Sequence, residues 1–316
     1  MIDLHMHSNF SDGSDDPEVL AASARKAGLS TIALTDHDTT DSHERMAAAC
    51  AAEGIELIPG VEVSLTDPMA TKVREDGTIE TSVSVHVLAY FVPLDPAHPF
   101  QQKLVQLRND RRKRNIGLIS LLHDHGFTRL DYDEILQRAK SEYSVGRPHF
   151  AQAMFDHHPE IVGEQSAENW QKLFNEWLGQ GGKAYLRKTE LTISSFVEAG
   201  RGSGVVFSIA HPTLNYFGNS VSDAEIAERF PAILSSLKAQ GVRGVECYYG
   251  SWPERRRQLL LSLARNEGMI PTGGSDYHGT VKRNVQIGRG LEGDLHVPDQ
   301  VLDELRAASA ENYFAA

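Results

Sequence analysis

Apolar and polar positions change period several times along the chain, and each change marks an element. The opening MIDL reads as the start of a short strand. DDPEVLAASARKAG follows with helical spacing; Asp16 suits its N-cap, Pro17 its first position and Gly28 its stop. LSTIALT, rich in β-branched residues, is a second strand. DSHERMAAACAAEG is a second helix, with Asp41 and Glu44 spaced like a capping box and Gly54 at its end. IELIPGVEVSL and TSVSVHVLAYFV predict a third and a fourth strand. From about Asp95 to Leu191 the text is helical, as in QQKLVQLRNDRRKRNIGLISLLHDHG. Strand signals return at GVVFSIAHP, GVRGVECYY and GMIPTGGSD, with a helix over SWPERRRQLLLSLARNEG between the last two. This alternation predicts an α/β fold of parallel strands with crossover helices. The expected division is a barrel from residues 1–98 and 200–316, interrupted by a helical insertion at 99–199.

Composition narrows the class. The 316 residues, 41% of them hydrophobic, suffice for one large α/β domain or for one domain with a sizeable insertion. No apolar run approaches the roughly 20 residues of a membrane span, and no basic-then-apolar leader opens the chain, so neither a membrane partner nor a signal peptide is expected. Cys50 and Cys247 are too few for a disulfide framework or a cysteine zinc site and fit a reducing cytoplasm. The formal charge of −12 repels polyanions at long range, which argues against extended duplex nucleic acid as a partner. A small phosphorylated ligand then needs a local positive centre, which bound metal ions would supply.

Candidate ligands follow the strands. Residues two apart on a strand point the same way, so His5 and His7 share a face while Met6 points away. The second strand runs into TDHD with Asp36, His37 and Asp38; the third into PGVE with Glu62; the fourth carries His86. The strand after the insertion ends in AHP with His211, and the last in GSDYH with Asp276 and His278, again two apart. In β/α barrels the strands' C-terminal ends form the functional face. Imidazole and carboxylate without thiolate suit zinc, manganese or iron. Glu246 also stands at a strand end, and Asp36 and Asp38 are placed to orient His37 or nearby loops. The run Arg108, Arg111, Arg112, Lys113, Arg114 reads as a solvated helix face. His43, His98, His123, His125, His157, His158 and His296 fall off the strand ends and read as surface residues.

In order, DLHMHSNFSDG, TDHD, PGVE, HVLAYF, AHP and GSDYH resemble the PHP family (polymerase and histidinol phosphatase) over almost the whole chain outside the insertion. The resemblance implies a distorted (β/α)7 barrel with three divalent metal ions; their identity is left open by the sequence, with manganese favoured here and iron or zinc as alternatives. It assigns His5, His7 and Asp276 to one metal, Glu62 as the bridge to a second completed by His86 and His211, and Asp12, His37 and His278 to a third. Some members carry His at the position of Asp12. Amidohydrolase barrels also begin with HxH, but many bridge their metals through a carboxylated lysine. No lysine ends a strand between His7 and His86 here, and Glu62 takes that place.

Within the insertion, SVGRPHFAQAM and GGKAYLRKT resemble the TrpH-like branch of that family. That branch includes phosphatases of 3′,5′-nucleotide bisphosphates and 5′-to-3′ exoribonucleases. The resemblance makes Arg147 and His149 phosphate contacts over the metals, His149 a candidate general acid, Lys183 and Tyr185 further substrate contacts, and the insertion a lid. The expected reaction is phosphate-ester hydrolysis by a water bridging two metals and held at Glu62. The substrate would be a small phosphorylated nucleotide or a short oligonucleotide, 3′,5′-adenosine bisphosphate giving AMP. Alternatives are a histidinol phosphate phosphatase and a non-catalytic metal-binding module. Oligomeric state is left open.

Overall fold

The computed structural model describes residues 1–73, 79–139, 145–179, 181–186, 191–218 and 221–313. Seven strands form one sheet in chain order: β1 (Ile2–Asp3), β2 (Thr31–Leu34), β3 (Glu56–Val73), β4 (Ile79–Tyr90), β5 (Val206–Ile209), β6 (Gly244–Tyr249) and β7 (Ile270–Gly274). Backbone bonds beyond the strand limits bring its edges together: Leu4 N–H donates to Gly273 O (3.2 Å), and Asp276 N–H donates to His5 O (2.8 Å). The result is a nearly closed, distorted seven-stranded α/β barrel.

The alternation predicts parallel strands, and the structure departs from that at β4. β3 pairs with β4, and β4 with β5, antiparallel; the other neighbours are parallel. The cause is the link. Only residues 74–78 separate β3 from β4, and a parallel neighbour needs a crossover of a dozen residues or more. β3 and β4 therefore make a long hairpin.

Helices α1 (Pro17–Lys26) and α2 (His43–Glu53) cover the outer face of β1 and β2. Met6, Leu20, Ala24, Ile32 and Met46 pack together there, so Met6 faces out as the two-residue period requires. Two expected caps differ. Asp16 holds the N-cap position of α1, but its carboxylate accepts from Asn9 Nδ2 (2.7 Å) and caps no N–H. The N-cap of α2 is Ser42, not Asp41, and the Ser42 hydroxyl donates to Asp36 (2.6 Å).

Contacts divide the chain into two units, Met1–Leu104 with Glu190–Ala316, and Val105–Thr189. The second falls inside the span 99–199. Helix α3 (Pro99–Asp124) begins in the barrel unit, where Phe100 meets Phe196 (5.0 Å between rings). The second unit holds the rest of α3, α4 (Tyr132–Arg138), α5 (Arg147–His157), α6 (Pro159–Val162) and α7 (Ala167–Leu173), around a core of Leu122, Phe127, Phe150, Met154 and Trp177. The barrel unit adds α8 (Ile193–Ala199), α9 (Pro212–Tyr216), α10 (Asp223–Ala239), α11 (Glu254–Asn266) and α12 (Gln300–Tyr313). Val301, Leu302 and Leu305 of α12 pack on Ile2, Leu4 and Val206. Among the described residues no helix is long and apolar enough to cross a membrane.

Barrel closure depends on Gly274. A Cβ there would lie 2.4 Å from His5 N and 2.8 Å from Asp3 Oδ1. Gly274→Ala should therefore destabilise the protein by about 1–3 kcal/mol in urea unfolding, with an unchanged m-value.

Candidate metal centre

The nine candidate ligands all lie in the barrel unit, and the fold brings them together. Three groups have ligand atoms within 4.8 Å of one another: His5, His7 and Asp276; His37, Glu62 and His86; and His7, Asp12, His37 and His278. His211 joins through its Nε2, 3.0 Å from Glu62 Oε1. Most of these residues follow short strands, as the strand-end reading expects. Glu62 and His86 do not: they sit inside the long hairpin, opposite Leu88 and Ser64. The hairpin passes through the rim instead of ending there.

Glu62 is the hub. Its Oε1 lies 3.0 Å from both His86 Nδ1 and His211 Nε2. Its Oε2 lies 3.1 Å from His7 Nε2 and 3.3 Å from both His5 Nε2 and His37 Nδ1. One carboxylate, 1% exposed, thus faces five imidazoles on two oxygens. Asp12 gathers a second set, with Oδ1 3.3 Å from His278 Nε2 and 3.6 Å from His7 Nδ1, and Oδ2 3.6 Å from His37 Nε2. His7 and His37 therefore stand between groups, each ring turning one nitrogen to Glu62 and the other to Asp12. Asp12 and His86 are the most open side chains, 39% and 32% exposed, which marks the side from which a ligand enters.

Hydrogen bonds fix which nitrogens carry protons. His5 Nδ1 donates to Glu246 Oε1 (2.8 Å), so in the neutral ring Nε2 presents a lone pair. That lone pair is 3.2 Å from His7 Nε2 and 3.5 Å from Asp276 Oδ1. His278 Nδ1 donates to Asp276 O (2.8 Å), which aims its Nε2 lone pair at Asp12. Among the described residues the buried His37 Nδ1 and His211 Nδ1 have no hydrogen-bond partner. Acceptors facing acceptors, with orphaned ring nitrogens among them, form a donor set that fits divalent cations.

The electrostatics agree. Burial depresses the His5 imidazole, but Glu246, Glu62 and Asp276 outweigh it and raise its pKa well above the ordinary value. For His7, burial is outweighed by Asp276, Glu62 and Asp12, and the pKa is pushed up to about 9. Burial dominates at His37 and lowers it to about 4, which keeps that ring neutral. Burial would raise Glu62, Asp276 and Asp12, yet the surrounding imidazoles hold all three carboxyls well below their usual range.

Several supporting groups stand behind the candidate ligands. Glu246 Oε2 also accepts from the backbone N–H of His211 (2.6 Å), so one buried carboxylate positions two candidate ligands. Asp36 accepts from Ser8 N (2.7 Å) and from the hydroxyls of Ser8 (2.6 Å), Ser11 (2.7 Å) and Ser42 (2.6 Å), and so shapes the loop from His7 to Asp12. Asp3 accepts from Ser275 N (2.9 Å) and Oγ (2.6 Å) and from Gly288 N (2.7 Å), tying β1 to the segment carrying Asp276. Asp276 Oδ2 accepts from Tyr249 Oη (2.7 Å) and Lys282 Nζ (2.5 Å). Asp38, His211 and Asp276 have φ of 55°, 24° and 55°, left-handed conformations that only a well-determined surround sustains.

The second unit holds the four candidate substrate residues. Arg147 opens α5, with its guanidinium carbon 5.7 Å from the Tyr185 ring centre. His149 Nδ1 accepts from Gly146 N (3.2 Å). Lys183 is engaged locally, 2.6 Å from Glu176 and 4.5 Å from the Trp177 ring centre. Ser144 and residues 187–189 of the quoted motifs lie outside the described residues. Two histidines read as surface residues are buried instead. His43 Nε2 accepts from Gly60 N (3.1 Å), and His158 Nε2 accepts from Arg129 N (3.0 Å).

Two outcomes follow from this geometry. In the metal-free protein the His7 imidazolium stabilises the fold below about pH 6.5, and that contribution is lost as pH rises through about 9. A cation must displace its proton, so affinity for manganese should rise from pH 6.5 to 9 with net proton release, measured by calorimetry in buffers of different ionisation enthalpy. Glu246→Gln removes the acceptor that fixes the His5 tautomer and should weaken metal binding about 10–100-fold, read by metal titration.

Comparisons place this arrangement. A sequence profile of the PHP domain matches residues 3–184. The chain is 28% identical to a 5′-3′ exoribonuclease of Haemophilus influenzae over 87% of this chain and 89% of the relative. It is 27% identical to a 3′,5′-nucleoside bisphosphate phosphatase of Chromobacterium violaceum, over 88% of this chain and 87% of the relative. A protein of Bifidobacterium adolescentis, provisionally named a metal-dependent phosphoesterase, superposes with a TM-score of 0.68 at 26% identity, over 97% of this chain and 96% of that one. Profile, relatives and fold agree with the donor set: the chain belongs to the PHP domain family of metal-dependent phosphoesterases.

Proposed function

We propose that the chain removes the 3′-phosphate from nucleoside 3′,5′-bisphosphates, 3′,5′-adenosine bisphosphate yielding AMP and phosphate. Three divalent cations, manganese favoured, are held by His5, His7, Asp12, His37, Glu62, His86, His211, Asp276 and His278. The observation that carries this reading is the Glu62 carboxylate, whose two oxygens each face imidazoles from different strands. That is the arrangement expected of a bridging ligand. The substrate class is supported by the named activities of the Chromobacterium and Haemophilus relatives.

Bound cations would supply Lewis acidity toward the phosphoryl oxygens and a water of lowered pKa. The chain's own residues do the rest. Asp12, Glu62 and Asp276 contribute three negative charges against six positive ones, leaving a strongly positive point in a chain of net charge −12. Glu246 and the Asp276 carbonyl hold His5 and His278 with their lone pairs forward. Arg147 offers a planar fork to phosphate. His149 accepts at Nδ1 and so keeps its proton on Nε2, where a departing alkoxide can take it. Lys183 and Tyr185 complete the substrate contacts, and the second unit serves as the lid.

A second use of the same centre, trimming short 5′-phosphorylated oligonucleotides from the 5′ end, is favoured by the Haemophilus relative. Two buried free cysteines fit a cytoplasmic location.

Purified protein with manganese should release phosphate from 3′,5′-adenosine bisphosphate and none from AMP, and EDTA should stop it. Glu62→Gln should lower kcat by more than about 100-fold while the thermal unfolding transition stays cooperative. Faster turnover of histidinol phosphate would reassign the substrate; metal-loaded protein inert toward every phosphoester would end the reading.

A further inference from the structure

Next to the metal centre, the barrel unit carries an open groove of about 550 Å³. It runs between the last turn of α1 and the segment after β7. Lys26, Arg283 and Arg289 line it. All three are exposed, and no carboxylate among the described residues pairs with any of them. That is unusual for this chain, where acids outnumber bases 43 to 31. Elsewhere in the unit Arg45, Arg243, Arg257, Arg265 and Arg306 each reach a carboxylate. Among the described residues the one acid lining the groove, Asp15, is committed: its oxygens accept from Tyr277 Oη (2.8 Å) and Ser14 Oγ (2.6 Å).

The groove begins at the rim. Gly279, in its lining, directly follows His278. Ser14 N–H donates to His278 O (3.1 Å) and Ser14 Oγ accepts from Thr280 N–H (2.9 Å), which locks this end of the groove beside the Asp12 and His278 pair. The half-buried Tyr277 forms part of the wall and turns away from the cations' site, since its neighbours Asp276 and His278 face it. Unpaired cations strung along an open groove with an aromatic wall suit a chain of phosphates more than a single one. Each exposed contact is weak, and several add along a backbone.

We propose that this groove holds the backbone of a short single-stranded oligonucleotide beyond the nucleotide being hydrolysed, with Lys26, Arg283 and Arg289 contacting successive phosphates. The proposal rests on the nucleotide reading of the metal centre and extends it to the length of the substrate. A mononucleotide would leave the groove unused.

The test compares wild type with Lys26→Gln/Arg283→Gln/Arg289→Gln. Two substrates are followed with manganese between 50 and 200 mM salt: 3′,5′-adenosine bisphosphate and a 5′-phosphorylated five-nucleotide RNA. The variant should raise KM for the RNA about tenfold with kcat unchanged, and should reduce the slope of log(kcat/KM) against log salt by about 2, as expected for three single-strand phosphate contacts. Hydrolysis of the bisphosphate should match wild type. Equal RNA kinetics in both proteins would overturn the groove, as would a wild type that hydrolyses the bisphosphate but neither trims nor binds the RNA. If wild type hydrolyses neither substrate, the nucleotide reading fails. Fluorescence anisotropy with the labelled RNA in EDTA then still decides the groove: equal binding by the two proteins, or none by either, overturns it.

Discussion

Five imidazoles converge on one buried carboxylate, and most of the barrel unit serves to keep them there. Without cations, Glu62 turns two oxygens to five imidazole nitrogens at 3.0–3.3 Å, the lone-pair nitrogen of neutral His5 among them, an arrangement that added protons or metal ions reconcile. The raised pKa values of His5 and His7 express the same demand in protons. A divalent ion meets it with two charges at one point, and it suits nitrogen and oxygen donors together. This explains how a chain with a net charge of −12 can work on phosphate esters.

Holding such a cluster is costly, and the fold meets that cost with a layer of buried carboxylates behind the ligands. Asp3 and Asp36 each accept several hydrogen bonds from the backbone or from hydroxyls of the segments that carry the candidate ligands, and Glu246 accepts from the His5 ring and the His211 backbone. They fix loops whose φ values at Asp38, His211 and Asp276 are otherwise unfavourable. The barrel closes where β7 approaches β1 too tightly for any side chain at Gly274, so Asp276 arrives beside His5 from the far end of the chain.

The clustering of the candidate ligands is more legible in the sequence than the scaffold is. His5 with His7 and Asp276 with His278 were legible because a strand's two-residue period leaves both members on one face. The antiparallel direction of β4 is not legible in its composition, which is that of any buried strand; the short link to β3 reveals it. Glu246 stood at a strand end and was visible as a candidate. Asp3 sits two residues before His5 on the same face, a signal that could have found it. Tyr249 and Lys282, which share Asp276 Oδ2, carry no local signal, since their role exists only through contacts across the barrel. The burial of His43 and His158 is not legible, because a helix or loop position says nothing of what packs over it.

The most direct measurement is anomalous diffraction from crystals grown with excess manganese. Three peaks should appear within the Glu62, Asp12 and Asp276 cluster, two of them about 3.5–4 Å apart and bridged by Glu62. A cluster empty of peaks, or ions bound only elsewhere on the protein, would contradict the metal centre on which the proposed chemistry depends.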